Sequence, residues 1–255
     1  MNIIGIIPAR MASSRFPGKP LAKICGIPMI GHVYFRSKMS KVLSGVYVAT
    51  CDKEIAAYTR SIGGEPIMTA DTHQRASDRA AEAMLKIERK TGKRTDIAVM
   101  IQGDEPMIYP EMLDQSVRPM MKDNAIQVVN LMSALKDSNE HEDPNEVKVV
   151  VDRNGFALYF SREPIPSTKK GASIVPMLKQ VCIIPFRRDF LIKFNRIKPT
   201  PLEIIESVDM LRILEHGYKV KMVMTDRDTY SVDTPADLRH VGKLLAKDRL
   251  LAHYK

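Results

Sequence analysis

The sequence predicts an α/β fold with one mainly parallel sheet between two layers of helices. Short apolar runs alternate with longer segments of helical periodicity, a pattern typical of parallel strands joined by helical crossovers. The first run, residues 3–7, is almost entirely isoleucine, and Pro8 ends it because proline offers no backbone donor. At 255 residues and 44% hydrophobic content, the chain can bury one large core. We therefore predict a single domain over residues 1–255.

The later elements continue this alternation. Apolar runs predict strands at 46–50, 68–70, 97–101, 126–131, 147–151, 158–161, 181–184 and 220–224. Helical spacing predicts helices after Pro28, after an Asp52 cap, at 77–89 with Ser77 as cap, at 110–121, at 202–214 and from Pro235. Between residues 123 and 199 strands follow one another without a helix between each pair. This segment is the predicted subdomain or subunit contact.

Charge and aromatic content bear on the partners of the chain. The formal net charge of +9 suits a nucleic-acid binder, but the basic residues are dispersed, there is no Trp, and aromatic residues make up 6%. An enzyme that handles phosphates and carboxylates would carry the same balance. Nucleic acid is therefore not the predicted substrate.

Cysteine usage and hydropathy bear on the compartment. Cys25, Cys51 and Cys182 are widely spaced and form no C-x-x-C motif, so neither a disulfide framework nor a zinc site is predicted. No apolar run reaches the roughly 18 residues of a membrane span, and Pro8 to Arg10 interrupts any signal-peptide pattern. We predict a cytoplasmic protein without a membrane span.

The loop after the first strand carries fixed positive charge. Residues 9–19 combine small side chains with Arg10, Arg15 and Lys19. Such a loop at the carboxyl end of a first parallel strand predicts a site for a phosphate-bearing ligand. The loop is neither a Walker A motif nor a dinucleotide fingerprint. The alternative is a surface loop with solvated charges.

Two aspartates elsewhere in the chain are further candidate site residues. Asp104 comes after the strand at 97–101, and Gly103 before it would permit close approach of a ligand. Asp233 precedes Thr234 and Pro235 at the start of the C-terminal helix. For Asp104 the alternative is a helix cap or a loop salt bridge. For Asp233 the alternative is helix capping, which Thr234 could also provide.

Several motifs together resemble one enzyme family. Residues 8–21, PARMASSRFPGKPL, resemble the opening signature of sugar-acid cytidylyltransferases, especially the CMP-Kdo synthetases, where Kdo is 3-deoxy-manno-octulosonate. QGDEPMI at residues 102–108 and SVDTPADL at residues 231–238 resemble two further motifs of that family. The likeness extends to residues 26–33, 46–50, 63–64, 145–150, 157–166, 201–203 and 211–212.

This resemblance implies a fold and a reaction. The fold is a Rossmann-like nucleotide-diphospho-sugar transferase fold with a small dimerisation subdomain. In the reaction, CTP and a 2-keto-3-deoxy sugar acid (Kdo or a related acid) give a CMP-sugar and pyrophosphate, with Mg²⁺ as cofactor. The resemblance further implies a role in lipopolysaccharide biosynthesis and a homodimer joined through residues 152–206.

The resemblance also implies roles for individual residues. Catalysis falls to Arg15, Lys19, Asp104 and Asp233, and the two aspartates would hold Mg²⁺, which prefers hard oxygen ligands. Nucleotide binding falls to Pro8, Ala9, Arg10, Ser14, Arg15, Lys19, Ser77, Arg79 and Gln102. Substrate binding falls to Gln102, Lys148, Arg162, Gln180, Ile184 and Asp209. The alternative for Lys148 is a solvated charge at a sheet edge.

The chain departs from the family pattern where the nucleotide base would be held. The family run HxSGT[ED]R is HQRASDR here at residues 73–79, so Arg75 and Ala76 replace a serine and a glycine. A bulky cation would crowd or recontact the nucleotide, and alanine disfavours positive φ. The preference for CTP is therefore less firmly implied than the phosphate chemistry.

The chain departs further where the acceptor would bind. Gln180 and Ile184 replace a histidine and a tyrosine, Asp209 and Met210 replace a Glu-Gln pair, and Ser167 stands where an aromatic residue is usual. Because sugar hydroxyls need matched partners, these changes predict an acceptor other than ordinary Kdo. A modified octulosonate, another acidic sugar, or a phosphonate or carboxylate acceptor stays open, and compensated drift is the alternative. A non-catalytic nucleotide-binding or regulatory homologue is a further alternative, against which the intact Arg15, Lys19, Asp104 and Asp233 argue.

Overall fold

The computed structural model describes residues 1–12, 15–169 and 176–255. The strands in these ranges are β1 (Ile3–Pro8), β2 (Lys23–Ile24), β3 (Ile27–Pro28), β4 (Gly45–Thr50), β5 (Glu65–Met68), β6 (Ile97–Ile101), β7 (Val129–Ala134), β8 (Lys148–Val151), β9 (Ala157–Ser161), β10 (Leu178–Val181), β11 (Ile183–Arg187) and β12 (Lys221–Met224). The α-helices are α1 (Met29–Lys38), α2 (Lys53–Ser61), α3 (Ala76–Thr91), α4 (Pro110–Lys122), α5 (Ser138–Glu142), α6 (Arg188–Phe194), α7 (Pro201–Glu206), α8 (Asp209–Glu215) and α9 (Pro235–Leu245). Short 3₁₀ helices lie at Lys19–Leu21 and Arg249–His253.

The chain separates into two compact units. Unit 1 contains Met1–Asp114 and Thr229–Lys255, and unit 2 contains Gln115–Asp228. Unit 2 includes the whole segment that the sequence analysis marked as a subdomain. The prediction that residues 1–255 act as a single domain stays a prediction.

Unit 1 contains the predicted parallel sheet. Its strands lie in the order β6-β1-β4-β5, and each neighbouring pair is parallel. Every residue of β1 and β6 is buried, as the isoleucine-rich sequence of β1 and the apolar run of β6 require. Helices α1, α2 and α3 pack against these strands. The carboxyl ends of the parallel strands share one edge of the sheet, where ligands bind in open α/β folds.

Unit 2 contains a mixed sheet. Its strands lie in the order β12-β7-β10-β8-β9, in which only β12 and β7 are parallel. Its core includes Val149, Phe160 and Val181, which lie on β8, β9 and β10. The predicted strands without helices between them therefore form antiparallel pairs, which can be joined by short connections.

Several boundary predictions were wrong. The strand predicted at 68–70 overlaps β5 only at Met68, and the one predicted at 181–184 spans the end of β10 and the start of β11. Two further errors have local reasons. The helix predicted at residues 202–214 is two helices, α7 and α8, because Ser207 between them adopts a left-handed conformation with φ of 53°. The periodicity is continuous across this break, and no glycine or proline marks it. Ser77 is not the cap of α3, since the helix begins at Ala76 and Arg75 holds the N-cap position.

Candidate active site

A cavity of about 300 Å³ lies in unit 1 beyond the carboxyl ends of β1 and β6. Most of the predicted nucleotide-binding residues line it: Pro8, Ala9, Arg10, Arg15, Lys19, Arg79 and Gln102. Asp104 and Asp233 line it as well. Ser77 is instead buried in the first turn of α3, and Ser14 lies outside the described residues. The cavity volume is at the lower end of the range of small-molecule sites.

Lys19 lies between the two aspartates. Its Nζ is 2.7 Å from Asp104 Oδ2 and 3.0 Å from Asp233 Oδ1. Burial alone would lower the pKa of Lys19, but the two carboxylates outweigh burial, so its pKa is raised above the ordinary value. The nearly buried ammonium group thus holds the two negative charges together.

The backbone brings these aspartates together from distant parts of the sequence. The Val232 N–H donates to the Asp104 carbonyl at 2.9 Å, so the residue before Asp233 is paired with the end of the β6 loop. Val232 and Met107 are buried in one apolar cluster, which also contains Val241 and Leu245 of α9. Hydrophobic burial on both sides of the pair therefore fixes the separation of the two carboxylates.

Helix capping does not occupy the Asp233 carboxylate. Thr234 is the N-cap of α9, and its side chain forms a capping box with Asp237. The Asp237 carboxylate also accepts from the Asp233 N–H at 3.0 Å. Asp233 Oδ1 is instead 3.0 Å from Arg15 Nη2, in addition to its contact with Lys19. Of the two predicted alternatives, the site residue rather than the cap agrees with this geometry.

Gly103 lines the cavity and also packs closely inside unit 1. A Cβ at this position would lie 3.0 Å from the Pro8 carbonyl oxygen and 3.2 Å from Ile30 Cδ1. The glycine therefore permits close packing against the end of β1 and against α1, and the close approach of a ligand stays a prediction.

The loop after β1 is anchored by a residue that was assigned another role. Asp52 occupies the N-cap position of α2, as predicted, but its side chain makes no capping hydrogen bond. Its Oδ2 accepts from the Met11 N–H at 2.8 Å. The Asp52 carboxylate thus holds the loop that carries Arg10 and Arg15 against the end of β4.

Arg79 presents an unsatisfied donor at the cavity wall. The residue is 3% exposed, and its Nη1 donates to Thr69 Oγ1 at 2.5 Å and to the Ala70 carbonyl at 3.3 Å. Its Nη2 is buried without a hydrogen-bond partner among the described residues. Because a buried guanidinium donor is costly to leave unpaired, this atom is suited to bind an acceptor atom of a ligand.

The loop before α3 forms another part of the wall. It contributes His73, Gln74 and Arg75, of which the sequence analysis discussed only Arg75 as a change in the site. Their position after the end of β5, at the carboxyl edge of the sheet, is the signal that could have identified them. Ala76 adopts no positive φ, since it is the first residue of α3, so its replacement of a family glycine causes no backbone strain.

The chemistry of these groups suits a polyanion together with a cation. Arg10, Arg15, Arg75 and Arg79 surround the cavity with positive charge, while Asp104 and Asp233 provide adjacent hard oxygens. No group of three or more His, Cys, Asp or Glu side chains with metal-binding geometry occurs among the described residues. A hard divalent ion at the two aspartates would therefore complete its coordination with ligand oxygens and water.

The predicted acceptor cations have their donors engaged inside unit 2. Lys148 is fully buried, and its Nζ donates to the carbonyls of Asp143 at 2.8 Å and Arg162 at 2.6 Å. The alternative reading of a solvated edge charge was therefore wrong. The Arg162 side chain donates to the carbonyls of Glu206, at 2.7 Å, and Pro144, at 2.7 Å.

Three more of the predicted substrate-binding residues lie in unit 2, whereas Gln102 lines the cavity in unit 1. Gln180 Nε2 donates to Asn130 Oδ1 at 2.6 Å, Ile184 is buried in β11, and Asp209 begins α8. Met210, which follows, is buried. Substrate binding by these residues, and by Lys148 and Arg162, stays a prediction.

Comparisons with known proteins identify the family of this chain. The sequence profile of the cytidylyltransferase family matches residues 4–222. A 3-deoxy-manno-octulosonate cytidylyltransferase from Geobacter metallireducens is 43% identical, over 97% of this chain and 99% of its own. The corresponding protein of Syntrophobacter fumaroxidans is also 43% identical, over 97% of this chain and 98% of its own.

Comparisons with solved structures identify the fold. The structure of a CMP:2-keto-3-deoxy-manno-octonic acid synthetase in complex with CTP superposes with a TM-score of 0.89 at 38% identity, covering 97% of this chain and 99% of that one. A 4-diphosphocytidyl-2C-methyl-D-erythritol synthase from Anaerococcus prevotii, 13% identical with a TM-score of 0.62, shares the fold alone. The predicted α/β nucleotidyltransferase fold and enzyme class are thus confirmed, and the chain belongs to the 3-deoxy-manno-octulosonate cytidylyltransferase (CMP-Kdo synthetase) family.

Proposed function

We propose that this chain transfers the CMP group of CTP to the anomeric hydroxyl of a 2-keto-3-deoxy sugar acid, with Kdo as the first acceptor to test, and releases pyrophosphate. The observation that carries the proposal is the Lys19 ammonium group, which lies between Asp104 and Asp233 in a cavity surrounded by arginines. The arginines match the charge of a triphosphate, and the carboxylate pair matches the cation that accompanies it.

The chain's own residues would act mainly by position and charge. The acceptor hydroxyl attacks the α-phosphorus in line and its proton passes to solvent. The bond from the α-phosphorus to the bridging oxygen breaks, and pyrophosphate leaves from the opposite side. Arg15 is half-exposed at the cavity rim and can clamp phosphate oxygens with two N–H groups, whereas Lys19 supplies a point charge. The unpaired Nη2 of Arg79 would donate to an acceptor atom of the nucleotide.

The two aspartates are suited to hold Mg²⁺. A cation already lies between them in the form of the Lys19 ammonium group, and their oxygens are the hard ligands that Mg²⁺ prefers. When bound, Mg²⁺ would act as a Lewis acid and neutralise charge on the phosphates. Asp104 and Asp233 are 28% and 20% exposed, so both carboxylates are open to the cavity.

The acceptor is proposed by likeness to the curated relatives, whose name specifies 3-deoxy-manno-octulosonate. The substitutions at Gln180 and Ile184 keep a modified octulosonate as a second candidate. In this structure Gln180 is bonded to Asn130 and Ile184 is a buried side chain of β11, contacts that suit residues of the fold as well as residues of a pocket.

Pyrophosphate release tests this proposal directly. The chain is incubated with Mg²⁺ and each of the four nucleoside triphosphates, against a panel of acidic sugars that includes Kdo. We expect activity with CTP and Kdo. Activity with CTP and only a different acid would keep the chemistry and change the acceptor. The absence of both turnover and CTP binding would overturn the proposal.

A cytoplasmic homodimer is proposed as the working form. Three free cysteines support a reducing compartment, and no helix in the described part of the chain is long and apolar enough to cross a bilayer. Leu158 on β9 and Ile204 and Ile205 on α7 are 62%, 65% and 75% exposed, and a second copy would cover these apolar side chains. Light scattering on the wild type and on Ile205→Glu tests this, with a monomeric variant expected.

A further inference from the structure

The wall of the cavity beside Arg79 is a loop held by a side chain that does not itself line the cavity. The loop runs from Ala70, after β5, to Arg75, and its residues His73, Gln74 and Arg75 line the cavity. It contains a turn at Asp71 and Thr72 but no helix or strand. Contacts with neighbouring elements therefore help to fix its position.

Glu82 on α3 supplies two such contacts with one carboxylate oxygen. Its Oε2 accepts from the Ala70 N–H at 2.9 Å and from His73 Nε2 at 2.5 Å. Its Oε1 pairs with Lys86, one turn further along α3, at 2.7 Å. A single carboxylate thus anchors the start of the loop and its histidine to the helix.

The charge of Glu82 decides which nitrogen of His73 carries a proton. Burial alone would raise the pKa of Glu82, but hydrogen bonds from Lys86, Ala70 and His73 lower it to about 2. An ionised carboxylate only accepts, so His73 must donate through Nε2–H. The imidazole ring is thus held in one orientation, in which Nε2 binds Glu82 and Nδ1 does not.

The same loop start is held from a second point on the helix. Arg79 donates to the Ala70 carbonyl, while Glu82 accepts from the Ala70 N–H, and the two residues are three positions apart on α3. Side chains with this spacing lie on one face of a helix. Ala70 is therefore bound both by Arg79, whose guanidinium group has an unpaired donor, and by Glu82, which orients His73.

We propose that Glu82 is a positioning residue for nucleotide binding, which holds His73 and the loop from Ala70 to Arg75 in the conformation that receives CTP. This inference rests on the proposed function, since it assumes that the cavity binds CTP. The competing explanation is that Glu82 only stabilises α3 through its ion pair with Lys86. The two explanations differ in whether affinity for CTP depends on Glu82.

The test compares Glu82→Ala with a matched variant on the same helix. Glu88 also accepts a backbone N–H, that of Thr95 at 2.8 Å, but from a loop that does not line the cavity. We expect Glu82→Ala to raise the KM for CTP about tenfold with kcat changed less than threefold, because positioning is lost while the phosphate groups stay in place. Glu88→Ala should lower the thermal midpoint similarly and leave the KM unchanged.

A double-mutant cycle and a conservative variant sharpen this test. If Glu82 acts through His73, then His73→Ala should raise the KM by a comparable factor, and the double variant should be no worse than the worse single variant. Glu82→Gln keeps an acceptor oxygen and should recover part of the affinity. The proposal is overturned if Glu82→Ala has the wild-type KM, or if the two single effects multiply.

Failure of this inference can be told apart from failure of the proposed function. Direct titration of the wild type with CTP, followed by calorimetry, is made in parallel with the kinetics. A wild type that binds and turns over CTP, together with an unaffected Glu82→Ala variant, contradicts only the positioning role. A wild type that neither binds nor turns over CTP contradicts the proposed function as well.

Discussion

Two lysines, one in each unit, show how the same residue type acquires different local chemistry. Lys19 in unit 1 has two carboxylate partners, which outweigh burial and raise its pKa. Lys148 in unit 2 is fully buried with two carbonyl partners, and burial lowers its pKa despite nearby acidic residues. Both were predicted as ligand-contacting cations.

The comparison shows which partners leave a buried cation available to bind a ligand. Carboxylates hold Lys19 in the cavity, and a phosphate can compete with them for the ammonium group because it carries the same charge. Backbone carbonyls hold Lys148 as part of the fold, because removal of its ammonium group would leave the carbonyls of two half-buried residues without this donor. The predictions below test this contrast, beginning with the largest expected effect.

Removal of one negative charge from the pair Asp104 and Asp233 should have the largest effect on turnover. For Asp104→Asn we expect kcat/KM to fall about 1,000-fold, because an amide oxygen is a poor ligand for Mg²⁺. Thermal unfolding should change little. Asp96→Asn is the matched control, since Asp96 accepts the Asn2 N–H at 2.6 Å before β6 and does not line the cavity. Full activity of Asp104→Asn would place the chemistry elsewhere.

Removal of the ammonium group should separate nucleotide chemistry from metal binding. We expect Lys19→Met to lower kcat about 100-fold through loss of charge stabilisation. In the absence of CTP, the same variant should bind Mn²⁺ about tenfold more tightly by electron paramagnetic resonance, because no cation remains between Asp104 and Asp233. Lys23→Met, an exposed lysine on β2, is the control. Unchanged Mn²⁺ affinity would show that Lys19 does not occupy the metal position.

Loss of the Asp52 anchor of the β1 loop should have a moderate effect, confined to the KM for the nucleotide. We expect Asp52→Ala to raise the KM for CTP about three- to tenfold, since the Met11 N–H loses its acceptor and the loop with Arg10 and Arg15 is less well placed. Asp96→Ala removes a similar contact at the other end of β1 and should leave the KM unchanged. Equal KM values for both variants would contradict the role of Asp52.

The unit 2 lysine should affect stability more than activity. For Lys148→Met we expect the KM values for CTP and for the acceptor to stay within threefold and the thermal midpoint to fall by a few degrees. Because folding favours neutral Lys148, the free energy of unfolding of the wild type relative to this variant should rise with pH between the lowered folded-state pKa and 10.5.

Urea unfolding at neutral pH and at several alkaline pH values measures that trend. A relative stability that falls with pH would contradict the lowered pKa. A tenfold rise in the acceptor KM would instead make Lys148 the substrate contact that the sequence predicted, and the contrast between the two units would fail.

The sequence predicts best the features that depend on local pattern. Isoleucines in β1 and the apolar run of β6 defined two central strands. Lys19 and Asp104 followed from their positions in the segments after these strands and from motif likeness, and Asp233 followed from motif likeness. Asp52 and Glu82 were missed as anchors, because the targets of their carboxylates depend on which strands become neighbours. Asp52 reaches Met11 only because β4 pairs in register with β1, so that Ala49 lies opposite Pro8.

Because the N-terminal cap of α9 does not use Asp233, a variant at this position could bind both reactants without joining them. Thr234 and Asp237 close the first turn of the helix by themselves, so the fold does not depend on the carboxylate of Asp233. An Asp233→Asn chain should therefore keep its shape and its cavity while it loses turnover. Such a chain would allow CTP and candidate acids to be soaked together without reaction, and the acceptor could be identified by direct observation.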